Sequence, residues 1–259
     1  MISTFPLEIE EIIFDLLAED DEGLLAMKMC SLVCQAFLPI CRKHIFERIV
    51  LNCDNSPSTH AFERLLCERP EIADYIRKLE YAIQLADLTS PSIQESMERI
   101  SRLEFLSLRA PLVYPTVKPY WNYPFRPALL HLLHLPTLTH FKVDDLNLFA
   151  LSDLIPCVNL KFLDIGYASE FVAAENTFPS TLPRHSIQLN EFVVRSRLGA
   201  STSATTKLCT ARRPDGQPII DFGSLSKISV VFFSINELRD LQELFRHCHF
   251  LTNASISCK

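Results

Sequence analysis

Apolar positions near the start of the chain recur with the spacing of an α-helix. Within residues 4–18 they fall at three- and four-residue intervals, on one face of a helix. They are Ile9, Ile12, Ile13, Leu16 and Leu17. Thr4 as the N-cap and Pro6 in the first turn favour a helix start here. After an acidic segment, a second helical pattern runs from Leu24 to about Ile49.

This second pattern holds more apolar residues than one amphipathic face accommodates. They are Leu25, Met29, Leu32, Val33, Phe37, Ile40, Cys41, Ile45 and Phe46. Because so short a segment cannot bury all of them, either the rest of the chain or another polypeptide must cover part of this surface. One alternative is that the helices form an N-terminal cap on the region that follows.

From about residue 72 the pattern changes to short apolar runs of the form LxxLxL. The central residues of these runs are Leu79, Leu106, Phe141, Leu163, Phe192, Ile228 and Ala254. Helix-like stretches lie between most of the runs, so the repeat alternates a strand with a return segment. Units of this length, each burying its apolar face against its neighbours, are typical of leucine-rich-repeat solenoids with parallel strands. The repeats are irregular, because the turn positions that often hold asparagine in that family hold other residues here.

Two segments interrupt the repeats. Residues 109–127 combine prolines with aromatic residues, and residues 196–218 are rich in Ser, Thr and Ala. We expect the first to be an ordered aromatic insertion and the second a mobile, solvated loop. Trp121 and Tyr123 belong to residue types that often become interface hot spots, although these aromatic side chains could instead fold back onto the repeats.

Composition narrows the classes of function. The chain has 259 residues, of which 48% are hydrophobic and 22% charged, as in ordinary folded proteins. A net charge of −6 gives no general attraction to nucleic acid or anionic lipid. No secretory signal and no membrane-spanning apolar run is visible, which favours an intracellular protein of the cytoplasm, the nucleus or both.

Neither catalysis nor cofactor binding finds support in the motifs. The chain has only 5 glycines and no phosphate-binding loop, GxSxG elbow or HExxH helix, so we predict a non-catalytic protein without a cofactor. Asp144 and Asp145 are adjacent in a predicted strand and would point to opposite faces. Cys30, Cys34 and Cys41 fit a buried helix stripe better than a zinc site, so no metal is predicted either. An unrecognised hydrolase on an α/β frame is the enzymatic alternative.

The N-terminal segment resembles an F-box. The resemblance depends on Phe5-Pro6-Leu7-Glu8-Ile9 with Ile12 and Leu16, then Leu24-Leu25 after the acidic turn, and Ser31-Leu32-Val33-Cys34 with Phe37. The family more often has Leu at the place of Phe5 and Trp at that of Phe37. Together with the repeats, this resemblance implies an α/β protein of two parts. The first is a three-helix F-box-like module at residues 4–50. The second, at residues 58–259, is an irregular leucine-rich-repeat-like solenoid of short parallel strands and helices.

The resemblance also implies a function. F-boxes dock on the Skp-type adaptor of an SCF (Skp–cullin–F-box) ubiquitin ligase, while the C-terminal region holds the client protein. Carried over by position, the adaptor-binding residues are Phe5, Pro6, Ile9, Ile12, Leu16, Leu24, Leu32, Val33, Cys34 and Phe37. The alternative is a leucine-rich-repeat scaffold that binds proteins without a ligase.

Client binding is expected on the sheet face opposite the apolar residues of each run, because side chains alternate along a strand. With the insertion, the candidate residues are Arg109, Trp121, Tyr123, Lys142, Asp144, Asp164 and Arg195. Their mixed charge suits a protein surface better than a nucleic acid backbone.

Overall fold

The protein is an α/β structure with a mostly parallel sheet. The structure, a computed structural model, describes residues 6–20, 22–52, 57–84, 86–110, 125–146, 149–166, 171–172, 183, 185–195, 204–232 and 236–258. The helices in these ranges are α1 (Leu7–Ala18), α2 (Gly23–Val33), α3 (Leu38–Ile45), α4 (Pro57–Glu68), α5 (Pro91–Glu98), α6 (Arg126–Leu133), α7 (Ala204–Thr210) and α8 (Asn236–His247). Short 3-10 helices lie at Pro70–Tyr75, Asp87–Thr89, Leu151–Leu154 and Phe222–Ser224.

Eight strands form the main sheet, in the order β1-β2-β3-β4-β6-β9-β11-β12. They are β1 (Arg48–Leu51), β2 (Lys78–Ala82), β3 (Phe105–Arg109), β4 (His140–Asp144), β6 (Phe162–Ile165), β9 (Glu191–Arg195), β11 (Lys227–Phe232) and β12 (Asn253–Cys258). Two short parallel pairs accompany them: β5 (Phe149–Ala150) with β7 (Phe171–Val172), and β8 (Ile187–Gln188) with β10 (Ile220–Asp221). In the main sheet each strand lies parallel to the preceding one in chain order, so each return segment leads to the next place along the sheet.

The register of the sheet follows the repeat read from the sequence. The central residues of the seven apolar runs lie opposite one another from strand to strand; they are Leu79, Leu106, Phe141, Leu163, Phe192, Ile228 and Ala254. The first six are buried in one continuous core, together with side chains of the helices such as Leu66 on α4 and Leu132 on α6. Burying each such side chain stabilises the fold by roughly 2 kcal/mol.

The sheet contains one strand that the sequence pattern did not predict. The helical pattern expected to run to about Ile49 ends at Ile45, and Arg48–Leu51 instead forms β1, parallel to β2. Ile49 and Val50 are β-branched, which favours a strand, and Arg48 Nε donates a hydrogen bond of 2.9 Å to Glu80 Oε1 on β2. Tertiary pairing therefore overrides a helical apolar spacing here.

Part of the segment predicted to be a solvated loop is instead folded. Of residues 196–218, the structure describes 204–218, and α7 begins at Ala204. Leu208 and Cys209 are buried in the large core. Arg213 is also buried, and its Nη1 donates a hydrogen bond of 2.9 Å to the carbonyl of His185. The expectation of a solvated loop therefore does not hold for this part, because two apolar side chains among many small polar ones are enough to anchor a short helix.

The N-terminal helices have a core of their own. Phe14, Met27, Ile40 and Cys41 are buried together, and half-buried Phe37 packs on Phe14 with 5.3 Å between the ring centroids. This small cluster is separate from the core under the sheet. We refer to α1, α2 and α3 as the N-terminal module. It meets the rest of the chain through α3, beside the 3-10 helix Pro70–Tyr75, where Arg42 Nη1 lies 3.5 Å from Glu71 Oε1.

Candidate functional site

The N-terminal module exposes a broad apolar surface. We define the N-terminal apolar surface by the exposed large hydrophobic residues of α1 and α2, which are Ile9, Ile12, Ile13, Leu16, Leu24, Leu25, Met29, Leu32 and Val33. Leu32 is 81% exposed and Val33 82% exposed. Among the residues that the structure describes, only Val50, Phe250 and Ile256 are further large hydrophobics of this kind. Apolar exposure is therefore concentrated on two adjacent helices.

This surface exists because the module is too small to bury its apolar residues. Among the large apolar residues of α1, Phe14 is the one buried in the small core. Among those of α2, it is Met27. Leu17 on α1 and Cys30 on α2 are partly buried against the same core, whereas the residues of the N-terminal apolar surface point away from it. Large exposed apolar patches on folded proteins often serve as interaction sites, so this surface is a candidate functional site.

The adaptor-binding residues predicted from the sequence divide into three groups. The first group is exposed, on α1 and α2 or next to them, and comprises Pro6, Ile9, Ile12, Leu16, Leu24, Leu32 and Val33. Cys34 and Phe37 are half-buried, and Phe37 belongs to the module core instead. Phe5 lies outside the described residues. Ile13, Leu25 and Met29 also belong to the surface; the sequence analysis counted them among the apolar residues of the helices but not in the adaptor-binding set.

The alternative of an N-terminal cap predicts that these side chains are covered by the repeats. The module instead contacts the rest of the chain through α3, and the apolar residues of α1 and α2 remain exposed. The described residues of the repeats therefore do not cover these side chains of α1 and α2.

A second candidate surface lies on the sheet face opposite the core. We call Arg109, Lys142, Asp144, Asp164 and Arg195 the sheet-face charge cluster; all five were predicted from the sequence as client-binding residues. Arg195 Nη2 donates hydrogen bonds of 2.7 Å and 2.9 Å to the two carboxylate oxygens of Asp164. The same nitrogen lies 3.5 Å from Asp144 Oδ1. The five side chains come from four strands of the sheet.

The remaining two cations approach the same carboxylates more loosely. Lys142 Nζ lies 3.7 Å from Asp144 Oδ2 and 4.0 Å from Asp164 Oδ2. Arg109 Nη2 lies 3.9 Å from Asp144 Oδ2. Both aspartates are buried, whereas the Arg109 side chain is 62% exposed. The cluster thus has one exposed cation, Arg109, and two partly exposed ones, Lys142 and Arg195, above buried carboxylates.

Gly166 makes the close packing of this cluster possible. It follows β6, and its N–H donates a hydrogen bond of 2.7 Å to the carbonyl of Val143. A Cβ at this position would lie 1.2 Å from Asp144 Oδ1. Because Gly166 has no side chain, the Asp144 carboxylate occupies that space and Arg195 on β9 reaches across it.

Burial raises the pKa of Asp164 above its ordinary value; Arg195 and Lys142 lower it, and Asp144 raises it. The folded protein therefore holds this proton to a higher pH than the unfolded chain does. As a result, the contribution of Asp164 to the free energy of unfolding falls as the pH rises from the ordinary aspartate pKa through the raised one.

We expect the Asp164→Asn variant, which cannot titrate at this position, to lack that part of the pH dependence. Urea unfolding of the wild type and the variant, at matched pH values from acidic to neutral, measures the difference. The stability of the wild type should decline more steeply with rising pH, and parallel curves would contradict this assignment.

An aromatic row lies beside the charge cluster and was not predicted. Phe105, His140 and Phe162 occupy equivalent places on β3, β4 and β6. The ring centroids are 6.3 Å apart for Phe105 and His140, and 5.4 Å apart for His140 and Phe162. His140 is exposed and both phenylalanines are half-buried. The signal in the sequence was the alternation along each strand, which places these residues on the same face as the cluster.

The described residues contain no cluster of potential metal ligands: no group of three or more His, Cys, Asp or Glu side chains among them is placed to hold a metal ion. His44 Nε2 instead lies 3.1 Å from Asp15 Oδ1, and Cys41 is in the module core. Within the same ranges, every helix is too short or too polar to cross a bilayer. Trp121 and Tyr123 fall outside the part of the chain that the structure describes.

Comparison with protein-family models, curated proteins and solved structures gives no match for this chain. Functional interpretation therefore depends on the two surfaces described above: the N-terminal apolar surface, and the sheet face with its charge cluster and aromatic row.

Proposed function

We propose that this protein is the substrate-recognition subunit of an SCF-type ubiquitin ligase. In this proposal the N-terminal module is an F-box that docks on the Skp-type adaptor and through it on a cullin. The sheet and its helices form an irregular leucine-rich-repeat-like solenoid that holds a client protein. The observation that carries the proposal is the N-terminal apolar surface, which the chain itself leaves exposed.

The division of the chain supports this arrangement. Three short helices with a small core of their own precede strands that join one sheet in chain order. The protein would act without chemistry of its own, by holding the client near a ubiquitin-loaded enzyme. Proximity of this kind replaces a bimolecular encounter with an effectively intramolecular one.

The adaptor interface would depend on a few large apolar side chains. Leu16 on α1 and Leu32 on α2 are well exposed in the free protein, so burying them in a complex removes apolar area from water. Amphipathic helices docked in a groove bind through such anchors, and truncating one hot-spot residue costs about 2 kcal/mol or more.

The test is adaptor binding by a Leu16→Asp/Leu32→Asp double variant. Both side chains are exposed, so we expect the fold to be unchanged and the affinity for a recombinant Skp-type adaptor to fall by about thirtyfold or more. Isothermal titration calorimetry with the full-length proteins measures this.

The matched control is Phe250→Asp, because Phe250 is 70% exposed but lies outside the module. It should bind the adaptor as the wild type does. A wild-type protein that does not bind any Skp-type adaptor would overturn the proposal and favour a repeat scaffold that works without a ligase.

A further inference from the structure

We infer that the sheet face opposite the core binds an acidic protein segment that also carries an apolar side chain. This inference deepens the proposed function, on which it rests for its biological role, because it names the chemistry of the client. Two neighbouring features carry it: the sheet-face charge cluster and the aromatic row.

The two features lie on one face at a spacing that suits an extended peptide. On β4, His140, Lys142 and Asp144 alternate with the buried Phe141 and Val143. Lys142 is thus two residues from the aromatic row along its strand, or about 7 Å, and Arg109 is four residues from it, or about 13 Å. Alternate side chains of an extended peptide have the same spacing, so one peptide can place an apolar and an acidic side chain on both features.

The cations retain hydrogen-bonding capacity. Arg195 is anchored to Asp164 by two hydrogen bonds, whereas Lys142 and Arg109 contact the carboxylates only at 3.7 Å or more. These distances are too long for hydrogen bonds. A carboxylate of a bound peptide can therefore accept charge-assisted hydrogen bonds from Lys142 and Arg109 while the Arg195–Asp164 pair stays intact.

The aromatic row supplies the apolar part of the surface. His140 is exposed between the half-buried rings of Phe105 and Phe162, so the three rings form a continuous platform on three strands. Phenylalanine side chains bury a large apolar area and are enriched in the cores of protein interfaces. An aliphatic or aromatic side chain of the partner would pack on it.

The buried acids argue against a nucleic acid partner. Asp144 and Asp164 lie directly under the cations, and a polyphosphate backbone tracking along the cluster would pass close to both. The chain as a whole also carries a net charge of −6. A few separated carboxylates on a peptide can meet the exposed Arg109 and the partly exposed Lys142 without a continuous run of negative charge.

The experiment uses short fluorescein-labelled peptides and fluorescence anisotropy with the full chain. The probe peptide has aspartate and glutamate residues on both sides of a central phenylalanine. One comparison peptide has asparagine and glutamine in place of the acids, and another has alanine in place of the phenylalanine. We expect the wild type to bind the probe at least about tenfold more tightly than either comparison peptide, and more weakly at high salt.

The variant that tests the cations is Arg109→Glu/Lys142→Glu, with Arg64→Glu/Arg246→Glu as its control. Arg64 on α4 and Arg246 on α8 have well-exposed side chains, and the control changes the net charge by the same amount. The first variant should bind the probe at least about tenfold more weakly, and the control as tightly as the wild type. His140→Ala should lower the affinity for the probe but not for the alanine peptide.

Equal binding of all three peptides by the wild type, equal losses in the two double variants, or tighter binding of a single-stranded oligonucleotide would each overturn the inference. Adaptor binding of the same samples separates it from the proposed function. Probe binding without adaptor binding would leave the inference standing and defeat the ligase, whereas the reverse would defeat the inference alone.

Discussion

The Phe14→Ala variant is expected to unfold the N-terminal module while the sheet stays folded. Phe14 is buried at the centre of the module and packs on Phe37. Replacing a buried phenylalanine by alanine costs about 3 to 5 kcal/mol. A module this small has little stability in reserve, whereas the core under the sheet is a separate cluster that does not include Phe14. Adaptor binding should be lost with the module.

Hydrogen exchange resolved by segment measures this outcome. Amides of α1–α3 should exchange rapidly in the variant, while those of β2, β3 and β4 keep the protection of the wild type. The matched control is Phe222→Ala, because Phe222 is buried in the large core beside Phe192, with 5.6 Å between the ring centroids. It should weaken protection in the sheet and spare the module. Simultaneous loss of protection in both parts would show that the two cores unfold as one unit.

The second large effect is expected at Gly166. Alanine there would place a methyl group 1.2 Å from Asp144 Oδ1 and 3.2 Å from Asp144 Cα, so the carboxylate must leave its place. Asp144 would then lose Arg195 and Lys142 while still largely shielded from water. Forcing an additional methyl group into a close-packed site costs about 1 to 3 kcal/mol.

Chemical unfolding of Gly166→Ala should show this loss as a lower midpoint with an unchanged slope. The control is Gly216→Ala, where a Cβ meets nothing within 4 Å but φ is +82°. That backbone conformation alone costs about 1 kcal/mol for a residue with a side chain. If both variants lose the same stability, the cluster does not depend on the space at Gly166.

How far the sequence determines the fold can be judged from particular elements. The row from Leu79 to Ala254 was predictable, because strands that bury one face against the core leave an alternating apolar signal that recurs from unit to unit. β1 was not, because its apolar residues also fit the helical spacing of the preceding segment, and only pairing with β2 makes Arg48–Leu51 a strand. The same applies to α7, where Leu208 and Cys209 are anchored by a core formed by distant parts of the chain.

The two candidate surfaces were likewise predictable from the sequence only in part. The excess of apolar residues in the first 50 positions, the charges of the sheet face and the strand register all follow from local composition and alternation along the chain. Only the tertiary structure decided which apolar side chains stay exposed, because burial depends on which face of α1 and α2 meets the module core. It likewise decided that Arg195 spans Gly166 to reach Asp144, and that Phe105, His140 and Phe162 form one row, since these contacts join residues from separate strands whose spacing is set by the packed sheet.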